Sequence, residues 1–116
     1  MDIQAIIFGV DTVKEKNGAP NMFGKTFFQL QKRGYKLAAV ELEKSEKICF
    51  QSDILLSTAR TLGVSARECA VVENQPFGID AAKSSGMTAI GIGGAGKYIL
   101  ADMCISDLSE LLDIFA

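Results

Sequence analysis

Gly9-Val10-Asp11-Thr12, Glu41 and Glu73-Asn74 each stand at the end of a short apolar run, and these are the residues best placed to do chemistry. Apolar runs without polar alternation suit parallel strands buried on both faces. Ligands of such sheets bind beyond the carboxyl ends of the strands, so Asp11, Glu41, Glu73 and Asn74 are expected around one cleft, with Gly93 nearby. Asp11 and Glu41 read either as a divalent-cation pair or as solvated strand-end charges. The chain has no histidine, which removes Ser-His and Cys-His nucleophiles and histidine-ligated zinc. Cys49, Cys69 and Cys104 lie far apart in apolar settings and read as buried free thiols rather than a disulfide or metal cluster. Gly91 to Tyr98 nearly spells a phosphate loop after a strand, but Tyr98 replaces the hydroxyl that would hold a metal, and a glycine turn is the plainer reading.

The elements that position these residues alternate. Ile3 to Val10 is expected as a central strand, followed by a polar loop from Lys14 to Pro20. Asn21 caps a helix to Arg33 with Phe23, Phe27 and Leu30 on its inner face, and Gly34 stops it. Tyr35 to Val40 is the next strand. Residues 42–52 read as a loop with a cap at Ser52, after which Ile54, Leu55, Thr58, Ala59 and Leu62 trace an amphipathic helix ended by Gly63. Cys69 to Val72 is a strand, Pro76 opens a helix that Gly86 closes, and Thr88 to Ile92 returns parallel through a right-handed crossover. Lys97 to Ala101 reads as a short helical turn and Met103 to Ile105 as an edge strand. Ser106 or Asp107 then caps a last helix with Leu108, Leu111, Leu112 and Phe115 inward. This pattern predicts an α/β fold, a three-layer Rossmann-like parallel sheet of about five strands in the order 2-1-3-4-5, with residues 1–116 as one domain.

Lys+Arg 12 against Asp+Glu 14 gives a net charge of -2, which offers no electrostatic reason to expect nucleic acid or an anionic membrane as partner. No apolar run approaches the length of a membrane span and the start of the chain has no basic region, so a cytoplasmic location is expected.

Two stretches resemble one family. AIIFGVDTV, Ala5 to Val13, resembles the first motif of the haloacid dehalogenase-like phosphatases, in which a strand ends in Asp-x-Asp-Gly-Thr/Val. GVSARECAVVENQPFGIDAAKSSGMTAIGIG, Gly63 to Gly93, is similar to the last motif of that family's β-phosphoglucomutase-like branch. Ala101 to Leu111 resembles the branch's ending, and Met22 to Val40 more weakly the approach to its second motif.

The resemblance implies covalent phosphoryl transfer by a first Asp, proton transfer by a second, and Mg²⁺ offsetting phosphate charge with the help of a Ser/Thr and a Lys. This sequence departs from that pattern at most of those positions. Gly9 stands at the nucleophile; Asp11 matches the second Asp, with Thr12 after it. Glu73 matches, but Asn74 stands at the metal carboxylate, Glu41 at the hydroxyl and Cys49 at the lysine. Metal ligation by Asp11, Glu73 and Asn74 is thus expected to be weak or lost, with no cofactor unless Mg²⁺ is retained. Thr12, Glu41 and Lys47 are the ligand-binding candidates, with Lys44, Lys47 and Lys97 as replacement cations. Only residues 14–21 separate the first motif from the next helix, so no cap domain is expected. The functional expectation is a binding or regulatory module for a small molecule, another protein or a second copy of itself. The alternative is a Mg²⁺-dependent hydrolase acting through Asp11. A receiver-like acidic pocket is disfavoured because Glu73-Asn74 stand where its phosphoacceptor Asp would be.

Overall fold

The computed structural model describes residues 2–13, 22–43, 47–93 and 99–116. Its strands are β1 (Ala5–Gly9), β2 (Lys36–Val40), β3 (Cys69–Glu73), β4 (Thr88–Ile92) and β5 (Met103–Ile105), and its helices are α1 (Met22–Lys32), α2 (Ile48–Leu62), α3 (Pro76–Ser84) and α4 (Leu111–Ile114). All strand pairs are parallel and the order is β2-β1-β3-β4-β5. β1 and β3 are buried along their whole length because helices cover both faces.

The alternation of side chains along β1 and β3 divides the core. Ala5, Ile7, Cys69 and Val71 pack with Leu55 and Ala59 of α2 and Ile79 and Ala82 of α3. Ile6, Phe8, Ala70 and Val72 pack on the other side with Leu30 of α1 and Leu111 and Phe115 at the C-terminal end. The expected three-layer arrangement and strand order are therefore those observed. Pro76 opens α3 at a position needing no N–H, and Gly86, at φ 78, takes the left-handed conformation after it. Asp107 caps the last helical turns, accepting from the Ser109 N–H at 2.7 Å. Arg33 reaches across from the end of α1 to the carbonyls of Leu112 and Phe115 at 2.7 and 2.8 Å.

Three expectations need correction. α2 starts at Ile48 behind Lys47, so residues 48–52 are helix rather than loop, and Ser52 is not its cap. Gln51, 1% exposed, extends the buried stripe of Leu55 and Ala59 back by one turn, and its Nε2 donates to the Glu43 carbonyl at 2.7 Å, tying the incoming chain to the helix. Ser52 Oγ instead donates to the Ala81 carbonyl of α3 at 3.4 Å. Ile54 does not join the inner stripe and is 39% exposed. Cys69 is buried as expected, but Cys104 is exposed because β5 is an edge strand. The Lys14 to Pro20 loop, the Asn21 cap, Lys44, the side chains of Phe23 and Cys49, and Gly94 to Tyr98 lie outside the described residues.

Candidate functional site

β1 and β3 are adjacent, so their carboxyl ends bring Gly9 and Glu73 together, while Val10–Thr12 turn away from β1 in a single 3₁₀ turn. Gly9, Asp11, Glu41 and Glu73 line one cavity there, with Val10 and Leu42. Its volume is about 10 Å³, at the lower limit for one water molecule. Of the four positions expected to converge, Asp11, Glu41 and Glu73 line this cavity and Asn74 does not, and almost no space is left between them.

Glu73 is the reason. Its side chain is 4% exposed and lies back over β1. A Cβ placed on Gly9 would stand 2.5 Å from Glu73 Oε1 and 2.7 Å from Oε2. A Cβ on Gly78, in the first turn of α3, would overlap Glu73 Cγ. Two glycines, one on β1 and one on α3, therefore make the slot that the Glu73 carboxyl fills. Burial pushes that carboxyl up to about 7, against the pull of the Asn74 N–H donating to Oε1 at 3.1 Å, and the charge of Asp11 adds to the rise.

Thr12 Oγ1 donates to the Gly9 carbonyl at 2.7 Å and so closes the 3₁₀ turn. Asn74 Oδ1 is buried without a hydrogen-bond donor. Asp11 and Glu41 are exposed at the rim. Lys47 is exposed at the N-cap of α2 and is not among the residues lining the cavity. Gly93, at φ 65, ends β4 in a turn.

A divalent cation fits this arrangement poorly. Among the described residues no three Asp, Glu or Cys side chains are gathered as a metal-binding group. Glu73 is engaged between the glycines, and Asn74 offers an amide in place of a carboxylate.

The Gly78 to Glu73 contact was legible only in outline. A glycine inside a helix costs about 1 kcal/mol against alanine, which signals a close approach by another group. It does not say which group approaches.

No family model matches the chain. Over 59 residues, 51% of the chain and 26% of the relative, it is 41% identical to the β-phosphoglucomutase of Bacillus subtilis. The chain thus spans about a quarter of the length of the curated relative it matches. Among solved structures, the cobalt-bound deoxy-D-mannose-octulosonate 8-phosphate phosphatase of Haemophilus influenzae superposes with a TM-score of 0.75 over 98% of this chain and 87% of that one, at 14% identity. The β-phosphoglucomutase of Clostridium difficile gives 0.62 over 77% and 50%, at 18% identity. The chain thus shares a 59-residue stretch of sequence with one β-phosphoglucomutase and the fold of these two solved structures.

Proposed function

We infer that this chain is a haloacid dehalogenase-like module that works by binding and has lost the covalent phosphoryl transfer of its family. The observation that carries this reading is the Glu73 carboxyl lying against Gly9: the nucleophile's position has no oxygen, and the volume a side chain would need there is filled. Asn74 in place of a metal carboxylate and the short span of residues 14–21, too brief for an inserted cap domain, support it.

The same site disfavours a phosphate dianion. Asp11, Glu41 and Glu73 line it, and no cation does among the described residues. Two unit charges about 4 Å apart interact by roughly 4 kcal/mol at an effective dielectric of 20. The N-terminus of α3 favours an anion by only about 0.3–1 kcal/mol. Phosphate titrated against amide NMR shifts is therefore expected to show no sub-millimolar site at Asp11, Thr12 and Asn74.

The local identity to a β-phosphoglucomutase favours a second reading, phosphate-ester hydrolysis with Asp11 handling the proton of a solvent nucleophile. Turnover of an aryl phosphate with Mg²⁺ decides between them. Background rates are expected; turnover abolished by Asp11→Asn would overturn the binding reading.

A further inference from the structure

We propose that a groove along the outer side of α2 receives the exposed face of α1 from a second copy of this chain. The groove, about 640 Å³, runs from the residues after β2 along the first turns of α2. Phe50 and Ile54 give it an apolar floor and are 54% and 39% exposed. Glu41, Glu43 and Asp53 give it acidic walls, and no cation lines it among the described residues. Its occupant should therefore pair an apolar anchor with positive charge on both sides.

The α1 helix carries that pattern. Lys25, Phe28 and Lys32 fall at i, i+3 and i+7, on one exposed face opposite the buried Thr26 and Leu30. Phe28 is 60% exposed, and Lys32 Nζ lies 5.9 Å from its ring centroid, so a cation already flanks the anchor. Phe28 would enter between Phe50 and Ile54, with Lys25 and Lys32 meeting Glu43 and Asp53. A central aromatic anchor seated in an apolar pocket, with a surrounding rim that excludes water, is how binding energy concentrates at an interface.

The two surfaces lie on opposite sides of the sheet, since α1 packs with one core layer and α2 with the other. The contact is therefore heterologous: each copy offers one surface and keeps the other open, so assembly proceeds to a ring or an open chain rather than stopping at an isologous pair.

The test is sedimentation of the full chain from micromolar to millimolar concentration, at low and at high salt. Concentration-dependent association, weakened several-fold by salt, is expected. Phe28→Glu, and separately Ile54→Lys, should each abolish it. A charge exchange separates a specific contact from general stickiness. A Lys25→Glu, Lys32→Glu double variant and a Glu43→Lys, Asp53→Lys double variant should each stay monomeric alone and associate when mixed. A monomeric wild type at millimolar concentration, association indifferent to Phe28→Glu, or exchange variants that fail to associate on mixing would each overturn the proposal. So would a monomeric wild type that binds a synthetic lysine-rich amphipathic peptide, which would give the groove to a different protein.

Discussion

Glu73 and Asp102 are both acids at the ends of sheet connections, and the fold treats them in opposite ways. Asp102 is held between a cation and the backbone: Lys83 Nζ lies 2.9 and 3.0 Å from its two oxygens, and the Ala89 N–H donates to it at 2.8 Å. Partial burial raises its pKa, but the Ala89 N–H and Lys83 outweigh that and hold the carboxyl below its ordinary value. Glu73 has one backbone N–H, Asp11 nearby and, among the described residues, no lysine against it, and burial pushes its carboxyl up to about 7. A carboxylate that only builds the fold is given a partner. One buried with a single backbone donor and another acid nearby has its charged form disfavoured.

The largest effects should come from closing the slot around Glu73. An exposed helical glycine changed to alanine gains up to about 1 kcal/mol. Gly78→Ala should instead lose about 2–3 kcal/mol, because the new Cβ overlaps Glu73 Cγ. Gly9→Asp should lose about 3 kcal/mol or more, since it adds a like charge to the overlap with the Glu73 oxygens. Gly9→Asp combined with Asn74→Asp should therefore not create a metal site until the Glu73 carboxyl is displaced. Urea unfolding of each glycine variant in the wild-type and Glu73→Ala backgrounds checks this. Strictly additive losses would show that the slot is not the cause.

Smaller, and distinctive in its pH dependence, is the effect of Glu73→Gln. The ordinary carboxyl value is 4.5 and the folded one about 7. Between those values the folded chain holds a proton that the unfolded chain has released. Stability contributed by this group therefore falls as pH rises from about 4.5 to 7 and stays low above 7. Glu73→Gln should remove that slope and stabilise the protein at pH 8 by about 3 kcal/mol, and by much less near pH 5. Melting temperatures across that range test it, and a variant less stable than wild type at pH 8 would contradict the buried charge.

The frame of this molecule was legible because its signals are local. The apolar run of β3, Pro76, Gly86 and the run of β4 each have one physical reading, and together they dictate a crossover and a strand order. That Gly9 carries no oxygen and Asn74 no carboxylate was equally plain from the residue types. The start of α2 was not, because what draws residues 48–52 into the helix is the burial of Gln51, a polar side chain that periodicity counts as surface. The closed state of the site was also hidden. Nothing in the sequence says that Glu73 lies between Gly9 and Gly78, and only the packing of β1, β3 and α3 turns two missing side chains into the socket of a third. The exposure of Phe28, Phe50 and Ile54 likewise depends on which helical faces the sheet leaves uncovered.

Asp102 supplies the smallest expected effect. The pair with Lys83 joins side chains 39% and 37% exposed, so solvent screens it, and exposed ion pairs contribute about 0–1 kcal/mol. The backbone part is firmer. The Asp102 N–H donates to the Ala89 carbonyl at 2.8 Å while its carboxylate accepts from the Ala89 N–H, a reciprocal link that holds the approach to β5 against β4. Asp102→Asn keeps an acceptor for the Ala89 N–H and removes the charge, and should cost about 1 kcal/mol or less at pH 7. Lys83→Met should cost as much or less, whereas Asp102→Ala, which leaves the Ala89 N–H without that acceptor, should cost more, about 1–2 kcal/mol. The pH window is the reverse of the one at Glu73. A lowered pKa contributes stability that is present above the ordinary value of 3.8 and is lost as pH falls below it. Between pH 5 and 8 Asp102→Asn should therefore shift the melting temperature by a constant amount, while Glu73→Gln shifts it by an amount that grows with pH. Parallel shifts for the two variants across that range would show that the two carboxyls are not held in opposite states.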